Sequence, residues 1–139
     1  FLPGYGILSD ENLGVKNSYN FTIEKFLSGK GIESIFANKT SAKEIFKLSR
    51  EGDSNSKKYI SIFKDKLARS LASLINILDP DAIVFGGGVS NEINNLDEIK
   101  KITEKYLKDV VLNTVFLKPK YGDASGVRGA AFLSRQNSI

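Results

Sequence analysis

The longest stretch with helical periodicity, residues 54–78, stops at a proline and is followed at once by a short apolar run and three glycines. Apolar residues recur there every three or four positions, which predicts one long amphipathic helix. Pro80 ends it, because proline has no N–H to donate to the preceding turn. Residues 82–85 predict a buried strand that feeds a glycine-rich turn. This order of helix, strand and turn is typical of α/β proteins.

Shorter elements lie on both sides of this feature. The apolar spacing of residues 22–36 predicts two helices with a tight junction at residues 28–31. Ser41, with Glu44 three residues later, forms a capping-box pattern that predicts a helix over residues 41–48. The other predicted elements are a loop with one short strand at 1–19, a break at 51–53, a charged helix at 96–112, a strand at 114–117, a turn at 121–123, a small-residue helix at 124–133 and a polar tail. Two strong strands are too few for an independent sheet with both faces covered, which predicts a part of a larger fold.

The composition excludes several classes of site. The 139 residues include no Cys, His, Met or Trp, which rules out disulfides, a Ser-His-Asp triad and a typical zinc site. The 20 basic and 16 acidic residues give a net charge of +4. The lysines are spread along the chain and only four Arg occur, so we expect no nucleic-acid partner.

The sequence also bears on the location of the chain. No apolar run is long enough to span a bilayer and no signal peptide is visible, so we expect a cytoplasmic protein with no membrane partner. The chain opens at Phe1 rather than at Met, which suggests a processed or trimmed chain.

Gly86, Gly87 and Gly88 are the first candidate for a binding site. Glycine permits positive φ and lets a ligand approach the backbone without a Cβ in the way. Backbone N–H groups exposed there would suit a phosphate or a nucleotide ring. The spacing matches neither the dinucleotide fingerprint nor the P-loop. Two interpretations therefore stay open: a nucleotide-binding turn, or a tight strand-to-helix turn.

Three motifs occur in order along most of the chain. Residues 79–91 read Asp-Pro-Asp-Ala-Ile-Val-Phe-Gly-Gly-Gly-Val-Ser-Asn, residues 121–131 contain Gly-Asp and Gly-Ala-Ala, and residues 23–31 contain Glu-x-x-x-Ser-Gly. Together they resemble the ROK family, a bacterial group of ATP-dependent hexose kinases and sugar-sensing repressors. The resemblance implies the fold class: α/β, part of the C-terminal lobe of a ribonuclease-H-like (actin-like) ATPase fold, helix-rich with few strands.

The resemblance also implies residue roles. Gly86, Gly87 and Gly88 would line the nucleotide side of a cleft, and Glu24 would reach the sugar hydroxyls, because a carboxylate accepts hydrogen bonds from two neighbouring OH groups. ATP and Mg²⁺ are the implied cofactors and a hexose is the implied substrate. The Gly122-Asp123 turn and the segment after it would pack near the nucleotide. Taken alone, Glu24 reads as a solvated helix carboxylate and Asp123 as a helix N-cap.

Several parts of the family's machinery are not in the sequence. The Asp-x-Gly-Gly-Thr phosphate motif, the catalytic Asp and the Glu-x-Gly-His motif are absent, so no catalytic residue is assigned and we expect this chain alone to be inactive. The family often carries a Cys-x-Cys-Gly-x-x-Gly-Cys zinc run before the Glu. Val15, Asn17 and Thr22 stand at its thiolate positions, so we expect no zinc and no metal ligands here.

The predicted organisation is a single C-terminal-lobe fragment over residues 1–139. Its parts are a loop-rich opening at 1–20, a helical region at 21–78, a nucleotide-side α/β region at 79–134 and a tail at 135–139. Such a fragment leaves one sheet face and the flanks of its helices apolar and exposed, and another chain normally covers a patch of this kind. We therefore expect a homo-oligomer or contact with a missing N-terminal lobe.

Three functions remain open on this evidence. The first is the C-terminal part of an ATP-dependent hexose kinase, fructokinase-like, with its last two motifs similar to those of the bacterial fructokinase and N-acetylglucosamine kinase branches. The alternative is the effector-binding and dimerising part of a ROK-type transcriptional repressor, which needs a helix-turn-helix elsewhere. The third is a structural remnant that binds a partner lobe. The lost zinc cysteines favour the kinase over the repressor, because repressors of the family commonly keep them, and the same loss also suits the remnant.

Overall fold

The computed structural model describes residues 23–35, 40–108, 110–120 and 122. The elements, in chain order, are α1 (Ile23–Leu27), α2 (Gly29–Ile35), α3 (Ala42–Glu51), α4 (Ser54–Leu78), β1 (Ala82–Val84), α5 (Gly88–Glu92), α6 (Leu96–Glu104) and β2 (Val115–Leu117). Helices therefore alternate with parallel strands in the second half of the described chain, as the sequence predicts.

The first two helices are separated by one residue. Ser28 breaks the helical run, and its hydroxyl oxygen accepts a hydrogen bond from the Gly31 amide at 3.0 Å. That contact satisfies one of the first amides of α2, as an N-cap side chain does. The predicted junction over residues 28–31 is thus shorter than expected, because Gly29 and Gly31 both lie inside α2.

The third helix begins and ends with side-chain and glycine caps. The Glu44 amide donates a hydrogen bond to the Ser41 hydroxyl at 3.2 Å, which confirms the predicted N-terminus. The predicted end at residue 48 is wrong, because α3 continues to Glu51. Gly52 stops it at φ +110°, a backbone angle that favours glycine, and its amide donates to the Leu48 carbonyl.

The long helix α4 matches its predicted bounds. Asp53 caps its first turn by accepting a hydrogen bond from the Ser56 amide at 2.7 Å, and Asp79 ends it in the left-handed region at φ 41°. Its apolar stripe is buried along the middle of the helix, at Ile60, Phe63 and Leu71. The stripe does not stay buried to the end, because Leu78 is 63% exposed.

Strands β1 and β2 form a parallel pair with Ala82 opposite Val115 and Val84 opposite Leu117. Side chains alternate between the two faces of a strand, so these four residues share one face. The described residues leave that face open: Val84 is 58% exposed and Leu117 is 44% exposed. The prediction of a fully buried strand is therefore wrong for β1 within the described residues, because helices cover one side of it.

Helix α6 is shorter than the sequence predicts. It ends at Glu104 rather than at residue 112. The amides of Tyr106 and Leu107 donate to carbonyls three residues back, which tightens the chain into turns, and Lys108 has φ 25°. Leu107 and Leu112 are still buried, because the turns fold them against Ala72 and Ile75 of α4. The apolar residues after Glu104 therefore pack against α4 from an irregular segment and not from a helix.

The main core joins α2, α3, α4, the residue after β1, and α6. Its buried members are Ile32, Ile45, Phe46, Tyr59, Ile60, Phe63, Leu71, Phe85, Ile93 and Ile99. The Phe46 and Phe63 rings meet edge to face with centroids 5.7 Å apart, a preferred geometry for aromatic pairs. This core fixes the position of the chain on both sides of the three glycines, because Phe85 and Ile93 both belong to it.

Several sequence predictions lie outside the described residues. They are the opening loop and strand at 1–19, the zinc-motif positions Val15, Asn17 and Thr22, Asp123, and the helix at 124–133. The division of the chain at residues 20, 78 and 134 also stays a prediction. Among the residues that the structure describes, no helix has the length and apolar character needed to cross a membrane.

Candidate functional site

The three glycines form an exposed loop whose two ends are anchored in the core. On one side, the amide of buried Phe85 donates to the Leu117 carbonyl at 2.8 Å, which continues the β1–β2 ladder by one residue. On the other side, Ile93 is 5% exposed. Gly86, Gly87 and Gly88, which lie between them, are all exposed. The structure therefore brings the predicted glycines together as a loop held at both ends.

The glycines of the loop differ in whether their own backbone requires glycine. Gly87 has φ +84°, a backbone angle that side chains rarely adopt. Gly86 and Gly88 have no such angle, and a Cβ built on either would meet no atom within 4 Å. Neither backbone strain nor packing within the described residues therefore explains glycine at Gly86 and Gly88. Open space beside two such glycines is the arrangement that a closely approaching ligand needs.

The Ser-Gly motif lies next to this loop. A Cβ built on Gly29 would lie 3.8 Å from Val89 Cγ2 and 3.9 Å from Ala42 Cβ. Val89 directly follows the three glycines, so two motifs about 60 residues apart in sequence lie side by side in the fold. Glu24 lies in α1, one turn before Ser28; the placement of its side chain lies outside what the structure describes.

Two ion pairs brace the helices beside the loop. Both terminal nitrogens of Arg50 donate to Glu92 Oε2 at 3.1 Å, which ties the end of α3 to α5. Lys64 Nζ lies 2.7 Å from Glu98 Oε2, which ties α4 to α6. The pairs join residues 42 and 34 positions apart, so no local sequence signal predicts them. They line an open groove of about 410 Å³ between α3, α4 and α6.

A further polar cluster joins α4 to the turn after α6. The Tyr106 hydroxyl donates a hydrogen bond to Asp65, and the Arg69 guanidinium lies 5.1 Å from the centre of the Tyr106 ring. Arg69 Nε also lies 2.9 Å from Asp65 Oδ2. The hydrogen bond to Asp65 raises the pKa of Tyr106, because it favours the neutral phenol. These groups hold one another, and the sequence analysis did not identify them.

The fit of the implied cofactors differs between ATP and Mg²⁺. The exposed loop with open space at Gly86 and Gly88 suits a nucleotide. The described residues contain no group of three acidic or other ligating side chains that could hold a metal ion. When bound, ATP would supply the γ-phosphoryl group that is transferred. Any Mg²⁺ that accompanies it would need ligands from the nucleotide, water or residues outside the described ranges.

Comparison with known families identifies the class of protein that this fold and loop define. The model of the ROK family matches residues 19–137. The match includes both motifs that meet at the loop. The chain belongs to the ROK family.

Two individual relatives are similar to most of this chain. The chain is 39% identical over 116 residues to an N-acetyl-D-glucosamine kinase of Photobacterium profundum, an alignment that covers 81% of this chain and 38% of that protein. It is also 39% identical over 119 residues to the N-acetyl-D-glucosamine kinase of Yersinia enterocolitica, covering 83% and 39% respectively. The chain spans a little over a third of the length of these relatives.

A solved structure shares the fold. The ROK family glucokinase from Streptomyces griseus, determined in complex with glucose and AMPPNP, superposes with a TM-score of 0.64 at 29% identity. The match covers 81% of this chain and 36% of that one. It confirms the predicted fold class, a helix-rich α/β part of an actin-like ATPase fold. The two parallel strands of the described residues are consistent with a part of that fold.

Proposed function

We propose that this chain is the nucleotide-side part of an ATP-dependent hexose kinase. The observation that carries the proposal is the exposed loop at Gly86, Gly87 and Gly88, where two glycines face open space that their own chain does not require. The relatives named as N-acetyl-D-glucosamine kinases and the glucokinase solved with AMPPNP support it. In the reaction, the bond between the β–γ bridging oxygen and the γ-phosphorus of ATP breaks and a sugar oxygen–phosphorus bond forms.

The loop would act by positioning. Phosphoryl transfer depends on holding the phosphate groups and neutralising their charge more than on covalent chemistry by the protein. Exposed backbone amides next to Gly86 and Gly88 would contact the nucleotide without a Cβ in the way. The proton of the attacking sugar hydroxyl would pass to a base outside this chain. We assign no catalytic residue and no metal ligand to the described residues.

Glu24 is the proposed sugar-binding residue. It is supported by its place in α1, one turn before the Ser28-Gly29 pair that packs beside the loop. A Glu24→Gln variant keeps the size of the side chain and loses one acceptor charge, so we expect the sugar KM to rise and the ATP KM to stay unchanged. Glu104→Gln, an exposed carboxylate at the end of α6, is the matched control and leaves both constants unchanged.

The sugar is the finer part of the proposal. The motif wording is similar to both the fructokinase and the N-acetylglucosamine kinase branches, and fructokinase-like specificity stays a prediction. The similarity to N-acetyl-D-glucosamine kinases favours N-acetylglucosamine as the first substrate to test. A hexose with a 2-acetamido group differs from fructose in both shape and hydrogen-bonding groups, so one panel of sugars separates the two.

The test is sugar-dependent release of ADP by the complete reading frame and by this chain alone. The proposal predicts turnover by the complete protein, most efficiently with N-acetylglucosamine among N-acetylglucosamine, glucose and fructose, and none by this chain alone. No ADP release by the complete protein with any sugar contradicts the kinase. Sugars that shift its melting temperature without turnover would instead favour the repressor.

A further inference from the structure

The glycine loop rests on a buried serine. Ser90 is 6% exposed, in contrast to the three exposed glycines before it. Its hydroxyl donates a hydrogen bond to the Gly87 carbonyl at 2.7 Å, and its amide donates to the same oxygen at 3.1 Å. One carbonyl oxygen of the loop therefore receives two hydrogen bonds from one residue.

These two bonds fix the orientation of the peptide between Gly87 and Gly88. A trans peptide is planar, with its C=O and N–H pointing in opposite directions. Because the Gly87 carbonyl is held toward Ser90, the Gly88 amide points away from Ser90. Gly87 at φ +84° needs such support, since a glycine visits many backbone conformations when nothing holds it.

The surroundings of Ser90 make it a firm support. Its neighbour Val89 is half-buried, packs against the main core and lies 3.8 Å from a Cβ position on Gly29. Glu92, two residues after Ser90, accepts hydrogen bonds from both terminal nitrogens of Arg50. The residues after the loop are thus fixed by α2 and α3, while the loop itself is exposed.

We propose that Ser90 is a positioning residue for nucleotide binding: its hydroxyl holds the Gly87 carbonyl so that the loop keeps the conformation that meets the nucleotide. This inference rests on the proposed function, because it assigns the nucleotide to the same loop. Ser90 does not touch the nucleotide. It acts through the backbone of Gly87 and Gly88.

The test uses Ser90→Ala in the complete reading frame. The variant removes the hydroxyl bond and leaves the amide bond to the Gly87 carbonyl. An intramolecular hydrogen bond shifts a conformational equilibrium by about fivefold. Its loss should lower the fraction of loops in the binding conformation, so we expect the ATP KM and the Kd for Mg-ATP to rise by up to about fivefold. The sugar KM and the kcat at saturating ATP stay within error. Ser90→Thr keeps a hydroxyl on the same atom and restores ATP affinity.

Ser73→Ala is the matched control. The Ser73 hydroxyl donates to the Arg69 carbonyl at 3.1 Å on α4, so this variant loses the same kind of bond at a site away from the loop. We expect its ATP KM to equal the wild-type value. Melting temperatures of all variants without ligand show how much of any effect is loss of stability.

The outcomes separate the positioning role from the kinase itself. A wild-type enzyme that turns over, with the ATP KM of Ser90→Ala unchanged or with its ATP KM and sugar KM both raised, overturns the inference and leaves the kinase standing. A wild-type protein that binds Mg-ATP without sugar turnover, with the Kd raised in Ser90→Ala, supports the inference and contradicts the kinase. A wild-type protein that binds no Mg-ATP overturns both.

Discussion

The two faces of the β1–β2 sheet differ in what covers them, although both are apolar. On one face, Ile83 and Phe116 pack against the core, and the Phe85 and Phe116 rings lie 5.3 Å apart between centroids. On the other face, Val84 and Leu117 remain 58% and 44% exposed. The two faces of the same short strands thus lie in opposite environments, because α4 and α6 both pack on the same side of the sheet.

The difference shows that an apolar strand does not by itself specify burial. Burial depends on which elements pack on each face, and the described residues supply helices for one face only. An open apolar face of this kind is normally covered by further chain or by a partner. The prediction of a homo-oligomer or of contact with an N-terminal lobe therefore has a specific place in the structure: the face of Ala82, Val84, Val115 and Leu117.

The largest effect on the free energy of unfolding is expected from two neighbouring substitutions, one on each face of the sheet. Phe85→Ala removes a ring that is 9% exposed and should lower the free energy of unfolding by about 3–5 kcal/mol. Val84→Ala on the open face should cost less than about 1 kcal/mol in this chain alone. Urea unfolding followed by circular dichroism measures both. Equal costs would show that the two faces are equally covered.

A smaller effect is expected from alkaline pH on the covered side. Burial raises the pKa of Tyr59 to about 12, so the folded state disfavours the phenolate. Because the pKa of Tyr59 is higher in the folded state than in the unfolded state, the phenol contributes to the free energy of unfolding. That contribution is complete below about pH 10 and is lost as pH rises toward 12. We expect a loss on the order of 2 kcal/mol between pH 9 and 12. Tyr59→Phe should remove that part of the pH dependence, and a slope identical to wild type would contradict the burial of the phenol.

The smallest effect on stability, with a clear effect on association, is expected on the open face. Val84→Thr with Leu117→Thr should change the free energy of unfolding by less than about 1 kcal/mol and weaken self-association of the chain roughly tenfold. Sedimentation velocity measures the association. Ile77→Thr with Leu78→Thr, two residues that are 70% and 63% exposed at the end of α4, is the control. Equal weakening by both pairs of substitutions would contradict the prediction that the chain self-associates through the open sheet face.

The sequence predicts those elements whose signals are local. Helix α4 has its predicted bounds because its periodicity is long and Pro80 limits it, and both strands lie within one residue of their predicted positions. The predicted end of α6 is wrong because apolar residues continue at helical spacing through Ile102, Tyr106 and Val110, while Leu107 and Leu112 pack against α4 from outside the helix.

The candidate site divides in the same way. The three glycines and the Ser-Gly motif are visible in the sequence, and the resemblance ties both to one family. The proximity of these two motifs, through Gly29 and Val89, depends on the fold and is not visible in the sequence. The pair of Arg50 and Glu92 joins residues 42 positions apart, and nothing near either residue in sequence indicates its partner. The exposure of Val84 also depends on residues far from it.

The measurement that tests the account most directly is the affinity of the complete protein for Mg-ATP with and without a side chain at Gly86. A Cβ at Gly86 meets no described atom, so Gly86→Ala and Gly86→Val should keep the melting temperature of the unliganded protein. We predict that Mg-ATP affinity falls slightly with Ala and at least roughly tenfold with Val, since a side chain fills space that the nucleotide uses. Wild-type affinity in a stable Gly86→Val protein would contradict the proposal that the nucleotide binds at this loop.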